Sequence, residues 1–189
     1  MNDALSHQSK YHAVRFYESD RSLAAIVGKF LSDGLHEGQP AVVIATAAHR
    51  AAIVRELVAR RHDVVEVQRA GDLLLVDAQH TLDTFMSNGT VEDIRFKNVV
   101  RGILKTAYRD RVDCTVRAYG ELVDLLWSDG QQDSAIRVEV LWNSLALSES
   151  FSLVCGYARD QCHDHARLSD IRGQHTHVIS ADGPSDRVA

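Results

Sequence analysis

No stretch of this chain approaches the uninterrupted apolar length of a membrane span, and its first residues, MNDALSHQSKYH, hold no apolar core of signal-peptide length. Both absences lead to the expectation of a cytoplasmic protein without a membrane partner. Long runs of one charge are missing too: 21 Lys+Arg stand against 26 Asp+Glu, dispersed along the chain, for a formal net charge of -5. Such a surface does not attract a phosphate backbone, so direct nucleic-acid binding is not expected. The three cysteines, Cys114, Cys155 and Cys162, are an odd number, and two of them lie in apolar stretches that read as strands. Reduced thiols in a reducing compartment follow more simply than disulfides. Prolines number two, Pro40 and Pro184, and the end THVISADGPSDRVA is polar after a short apolar trio, which predicts a loose tail.

What the chain does have is apolar material for one core: 189 residues with 45% hydrophobic content suit one domain and are too few for two. Residues 13–17 (AVRFY) read as a first strand, and residues 21–36 carry Leu23, Ile26, Val27, Phe30, Leu31 and Leu35 at helical spacing. Ser19 or Asp20 is available to cap that helix. PAVVIAT after it is an unbroken apolar run of the kind a strand covered on both faces requires. Residues 47–61 predict a second helix, residues 64–67 a short strand, and 73–78 (LLLVDA) another buried strand. Helices are predicted over 79–86, ending near Asn88-Gly89, and over 91–109. A strand over 112–119 leads at Gly120 into the helix GELVDLLWSDG, followed by a helix over 132–148 and a strand over 151–157. This alternation is the signature of right-handed parallel crossovers and predicts a three-layer α/β/α sandwich with a mostly parallel sheet and no internal repeat.

HAVRFYESD, GLHEGQPAVVIAT, VDAQHTLDTFMSNG, VRAYGELVDLLWSDG, VEVLWNSL and FSLVCGYA, in this order and spacing, resemble the MEDS domain, the methanogen and methylotroph sensory domain found in the regulator DcmR. The resemblance spans roughly residues 12–177 and rests on separated motifs rather than one. It implies a RecA-like or KaiC-like fold and a sensor's role, with small hydrocarbon-derived compounds as ligands. It also implies a place in bacterial signalling and transcription regulation, where such domains stand beside kinase or DNA-binding modules. A MEDS-like domain over 10–168 and a polar, partly disordered C-terminal segment over 169–189 are expected. The residues past Ala166 are too few for a kinase or a helix-turn-helix domain, so a separate protein partner is expected to read the signal.

A RecA-like ATPase needs a glycine-rich turn whose N–H groups cradle phosphate, followed by Lys and Ser/Thr. Here the first strand runs into YESDRSLAAIVGKFL: the Gly28-Lys29 pair lies inside the helix, Phe30 replaces the hydroxyl, and Glu18 and Asp20 would repel phosphate. The expectation is a RecA-like fold without a phosphate loop, no enzyme, and no catalytic residue or cofactor. Neither Gly-x-Ser-x-Gly nor His-Glu-x-x-His occurs. Asp77 ends a strand as a magnesium-holding acid would, yet without a phosphate loop its plain role is to cap the next helix.

Ligands in open parallel sheets sit beyond the carboxyl ends of the strands. The ligand-binding residues predicted there are Tyr17, Glu18 and Ser19, then Thr46, His49 and Arg50, then Asp77, and finally Arg117, Tyr119 and Glu121. Gln79 and Tyr157 also fall on that rim. Arg117 would clamp an anionic group with Glu121 as its orienting partner. The competing reading makes the whole set N-caps and rim ion pairs, which any α/β fold needs. Trp127 and Trp142 read as core, with a homodimer or partner surface as the alternative. Cys162-His163-Asp164-His165, with His175 and His177, offers metal-type donors at a spacing that fits no standard finger, so solvated or partner-facing histidines and no metal are expected. The functional expectation is a non-catalytic sensory domain that binds a small molecule of unknown identity. Its rivals are a protein-interaction module without ligand and a residual nucleotide binder.

Overall fold

Ser19, Thr46, Asp63 and Asp77 each stand just before an apolar helical stretch, and each accepts a backbone N–H from the residue three positions on. Side-chain acceptors at these points satisfy the orphan donors of a helix start, and so they punctuate the chain into its alternating elements. The computed structural model describes residues 11–109, 111, 113–161, 165–180 and 183–187. The elements run β1 (His12–Tyr17), α1 (Asp20–His36), β2 (Ala41–Ala45), α2 (Ala47–Ala59), α3 (Val64–Arg69), β3 (Leu73–Asp77) and α4 (Ala78–Phe85). After them come β4 (Met86–Ser87), β5 (Thr90–Val91), α5 (Asp93–Tyr108), β6 (Val116–Gly120), α6 (Leu122–Ser128) and α7 (Gln132–Ala146). The chain continues through β7 (Phe151–Ala158), a single 3-10 turn, α8 (His165–Gly173), β8 (His177–Ser180) and β9 (Gly183–Arg187).

The main sheet has the order β3-β2-β6-β7-β1-β8-β9. Its first six strands in that order are parallel, and β9 returns antiparallel to β8. This is the α/β/α sandwich that the alternation predicted. One face packs against α1, α2 and α3 through Leu23, Val27, Leu31, Ile53 and Leu57. The other packs against α4 to α8 through Phe85, Phe96, Leu126, Trp142 and Ile171. Trp127 and Trp142 are both buried. Trp142 meets Phe96 and Phe151 edge-on at 5.4 and 5.6 Å, so both tryptophans belong to the core.

Several local expectations are corrected. Residues 64–67 are helical, because Asp63 caps the turn, Glu66 and Arg69 pair at i,i+3, and only Val64 of VVEVQR is buried. β3 is half-exposed because it forms the edge of the sheet. The Asn88-Gly89 signal marks a tight hairpin between β4 and β5, with φ of 50° and 74°, and not merely a helix end. β6 begins at Val116; residue 112, where the strand was expected to start, lies outside the described residues. Gly120 is buried extended strand without a positive φ, and a Cβ there would make an ordinary contact with Leu153 Cδ1 at 3.8 Å, so no tight turn requires a glycine there. Past residue 168, where a partly disordered segment was expected, α8 continues and β8 joins β1 in the sheet. No helix among the described residues is long and apolar enough to cross a membrane.

Candidate functional site

Strands β2 and β6 are neighbours, yet the helices that follow them leave toward opposite faces: α2 toward the face of α1, α6 toward the face of α7. A crevice at the carboxyl edge is the geometric result of such a switch point. Glu121, which links β6 to α6, fills it with a carboxylate that is 1% exposed. The Thr46 N–H donates to its Oε1, Tyr119 Oη donates to Oε2 at 3.2 Å, and His49 Nδ1 lies 2.5 Å from the same Oε2. His49 Nε2 faces Asp20 Oδ1 at 3.3 Å, so one imidazole from the first turn of α2 bridges two carboxylates. The hydrogen bond to Glu121 outweighs burial and lifts the His49 pKa to about 9.

Beside this pair, Tyr17 stacks edge-on to His49 with ring centres 5.8 Å apart and donates to Asp124 Oδ2 at 2.7 Å. The other oxygen of Asp124 accepts the Ala158 N–H at 2.8 Å. Burial pushes the Asp124 carboxyl upward in pKa, and burial likewise raises the phenols of Tyr17 and Tyr119. Tyr17, Thr46, His49, Tyr119 and Glu121, all predicted from the sequence, therefore meet, with Asp20 and Asp124 as additional members. The set carries three carboxylates and one imidazolium, an acidic lining that favours hydroxyl or amine donors over phosphate.

The remaining predicted residues part company with them. Arg50 and Asp77 form their own pair at 2.9 Å on the β2–β3 side, where Arg50 also reaches the Val76 carbonyl at 3.3 Å and Asp77 caps α4. Glu18 points into solvent toward Arg159, and Ser19 is spent on the cap of α1. Arg117 is not at this edge at all. It lies near the start of β6, opposite Ala41 and Ser152, and its guanidinium donates to Gln39 Oε1 at 2.6 Å and Glu37 Oε2 at 3.2 Å. The strand's length carries it to the amino end of the sheet, so it cannot clamp a ligand beside Glu121.

Between β1 and α1 only Glu18 and Ser19 intervene, too short a turn to wrap a phosphate. Gly28 serves packing instead: a Cβ there would lie 2.5 Å from Glu56 Cβ on α2. Lys29 pairs with Asp33.

A second polar cluster, on the α7 side of the sheet, was not anticipated. Glu139 of α7, fully buried, faces His12 of β1, Cys155 and Tyr157 of β7, and His175 before β8. Burial alone would raise the Glu139 pKa, but the charges and hydrogen bonds of His175 and His12 hold it far below the carboxylate range. Tyr157 thus donates to Glu139 Oε1 at 2.9 Å rather than facing the carboxyl rim, and His175 is buried rather than solvated. The sequence did hold a signal: Glu139 interrupts the apolar stripe of Ala135, Val138, Trp142 and Leu145. The Cys162-His163-Asp164-His165 motif lies outside the described residues, apart from the backbone of His165.

The family model for MEDS, the MEthanogen/methylotroph, DcmR Sensory domain, matches residues 11–176. No curated protein matches the chain. Among solved structures, the crystal structure of a KaiC-like protein from the hyperthermophilic archaeon Pyrococcus horikoshii OT3 superposes with a TM-score of 0.55. At 11% identity, with 94% of this chain and 76% of that one covered, the likeness concerns the fold.

Proposed function

Because the chain belongs to the MEDS family of sensory domains, we propose that it is a non-catalytic sensor whose ligand is a small hydroxyl- or amine-bearing molecule held at the carboxyl edge of the sheet. A separate regulatory protein reads the bound state. The observation that carries this reading is the pair of buried Glu121 and half-buried His49 seated where α2 and α6 diverge, the place at which open α/β sheets take their ligands. Its carboxylates accept hydrogen bonds from a hydroxyl or amine, and they oppose phosphate. A ligand that engages Glu121 competes with His49 and with the Thr46 amide, and so it biases the starts of α2 and α6.

Calorimetric titration with short alcohols, amines, carboxylates and ATP tests this. Binding is expected from the first two classes only, weakened about tenfold or more by Glu121→Gln. Tyr17→Phe serves as the milder second variant. Binding confined to carboxylates or ATP, or unchanged in both variants, would defeat the assignment. ATP and GTP hydrolysis assays are expected to be flat.

The rival reading, an interaction module without ligand, draws on Val58 and Val65, which are 56% and 76% exposed on the adjoining helices α2 and α3. Partner binding indifferent to every small molecule would decide for it.

A further inference from the structure

His12, Glu139, Cys155 and His175 bring two imidazole nitrogens, a thiol sulfur and a carboxylate to within 4.8 Å of one another, all of them buried. They come from β1, α7, β7 and the segment before β8, so the long-range fold assembles the group, not a sequence motif. His12 Nε2 is 3.1 Å from Glu139 Oε2 and 3.3 Å from Cys155 Sγ. Cys155 Sγ is 3.5 Å from Glu139 Oε2, and His175 Nε2 is 3.3 Å from Glu139 Oε1. Ligands bound tetrahedrally at zinc's usual 2.0–2.3 Å are separated by about 3.3–3.7 Å. Three of the four separations, 3.3, 3.3 and 3.5 Å, fall within that spacing, and the fourth, 3.1 Å, lies just below it.

The surroundings set both imidazoles for coordination. Asn143 Nδ2 donates to the Gln174 carbonyl at 2.8 Å, which leaves its Oδ1 to accept from His12 Nδ1 at 2.9 Å. His175 Nδ1 donates to the Ile171 carbonyl at 2.7 Å. With the Nδ1 protons so fixed, each Nε2 can turn a lone pair toward the cluster, the arrangement that orients metal-binding histidines. His175 Nε2 is buried and lacks a well-aligned hydrogen bond despite its nearness to Glu139.

We propose that these four side chains form a closed tetrahedral site for one divalent transition-metal ion, zinc by its chemistry. Two neutral imidazoles, one carboxylate and one thiolate around a dication sum to zero charge, the balance a dry core favours. The nitrogen and sulfur donors disfavour magnesium and calcium. Four protein ligands make a structural site, separate from the acidic carboxyl edge. The ion fastens the α8–β8 junction to β1 and β7, where Thr176 already bonds the His12 carbonyl through its N–H at 2.7 Å.

The 189-residue chain, stripped with chelator and titrated with Co²⁺, is expected to bind one ion. It should show the visible bands of tetrahedral cobalt and a near-ultraviolet thiolate-to-cobalt band, both bleached by added Zn²⁺. Cys155→Ser should remove the ultraviolet band and Cys162→Ser should preserve it. Asn143→Ala should keep both bands and lower affinity about 10–100-fold. If Cys155→Ser does not fold, as judged by circular dichroism, the other two variants decide. Less than one ion per chain, an octahedral spectrum, a thiolate band lost in Cys162→Ser, or unchanged affinity in Asn143→Ala would overturn the site.

Discussion

Gly34→Ala and Gly102→Ala are the same substitution inside two helices, α1 and α5, and they are expected to move stability in opposite directions. Alanine is favoured over glycine in a helix by about 1 kcal/mol. At Gly102 a Cβ meets nothing within 4 Å, so that gain should appear whole. At Gly34 the Cβ would lie 2.4 Å from Arg117 Cγ and 3.1 Å from its Cδ. The Arg117 stem cannot swing away freely, because its guanidinium is held by Gln39 and Glu37 and stacks 5.1 Å above the Phe30 ring. Overpacking of this kind costs about 1–3 kcal/mol, and loss of hydrogen bonds to the buried cation adds about 1.5–3 kcal/mol if the head group is displaced. With the head group displaced and the helical gain of about 1 kcal/mol set against these losses, Gly34→Ala should lose about 1.5–5 kcal/mol. Urea unfolding with a common m-value reads both changes, and in a chain of this size each kcal/mol moves Tm by about 2–4 °C. A Gly34→Ala protein as stable as its parent would show that Arg117 is not wedged between α1 and the sheet, and the assignment of Arg117 to a structural role would fall with it.

Stability should also fall in alkali through His49. Its folded pKa of about 9 exceeds the ordinary 6.5, so the contribution is whole below about pH 6.5 and is lost as pH rises through 9. After discounting for screening at the solvent-facing rim it amounts to about 1–2 kcal/mol. Urea midpoints at pH 7 and 10 measure it, and His49→Gln should flatten the difference. Trp142→Ala should cost about 3–5 kcal/mol by thermal or urea unfolding, since the indole is 2% exposed and packed edge-on by two phenylalanines.

The layers of this fold were legible because its helices and strands announce themselves locally. Leu23, Val27 and Leu31 repeat at helical spacing, Ser19 and Thr46 cap, and AVVIA is apolar without interruption. The carboxyl-edge set was legible for a geometric reason: a residue that closes a strand, as Tyr17 does, or directly follows one, as Thr46 and Glu121 do, must lie at that strand's end. Arg117 failed the same logic because its position along β6 depends on where the strand begins, and local pattern does not fix that boundary. Residues 64–67 misled because β-branched valines favour strands only where a sheet receives them, and Asp63 with Glu66 and Arg69 turned them helical. The Glu139 cluster stayed hidden because its members are spread from His12 to His175, brought together only by strand order.

Tyr11 to Tyr17 carry a further consequence for how the chain is made. β1 lies between β7 and β8, and the amide of Thr176 closes on the carbonyl of His12. At ribosomal rates of about 5–20 residues per second, roughly 10–30 s separate the synthesis of those two residues. Until β7 has been made, β1 has open backbone donors and acceptors on both flanks, and until β8 has been made it has them on one, an exposure that invites mispairing and a task for chaperones. Slow, late closure of the sheet centre, not helix formation, should therefore limit how fast the nascent chain matures.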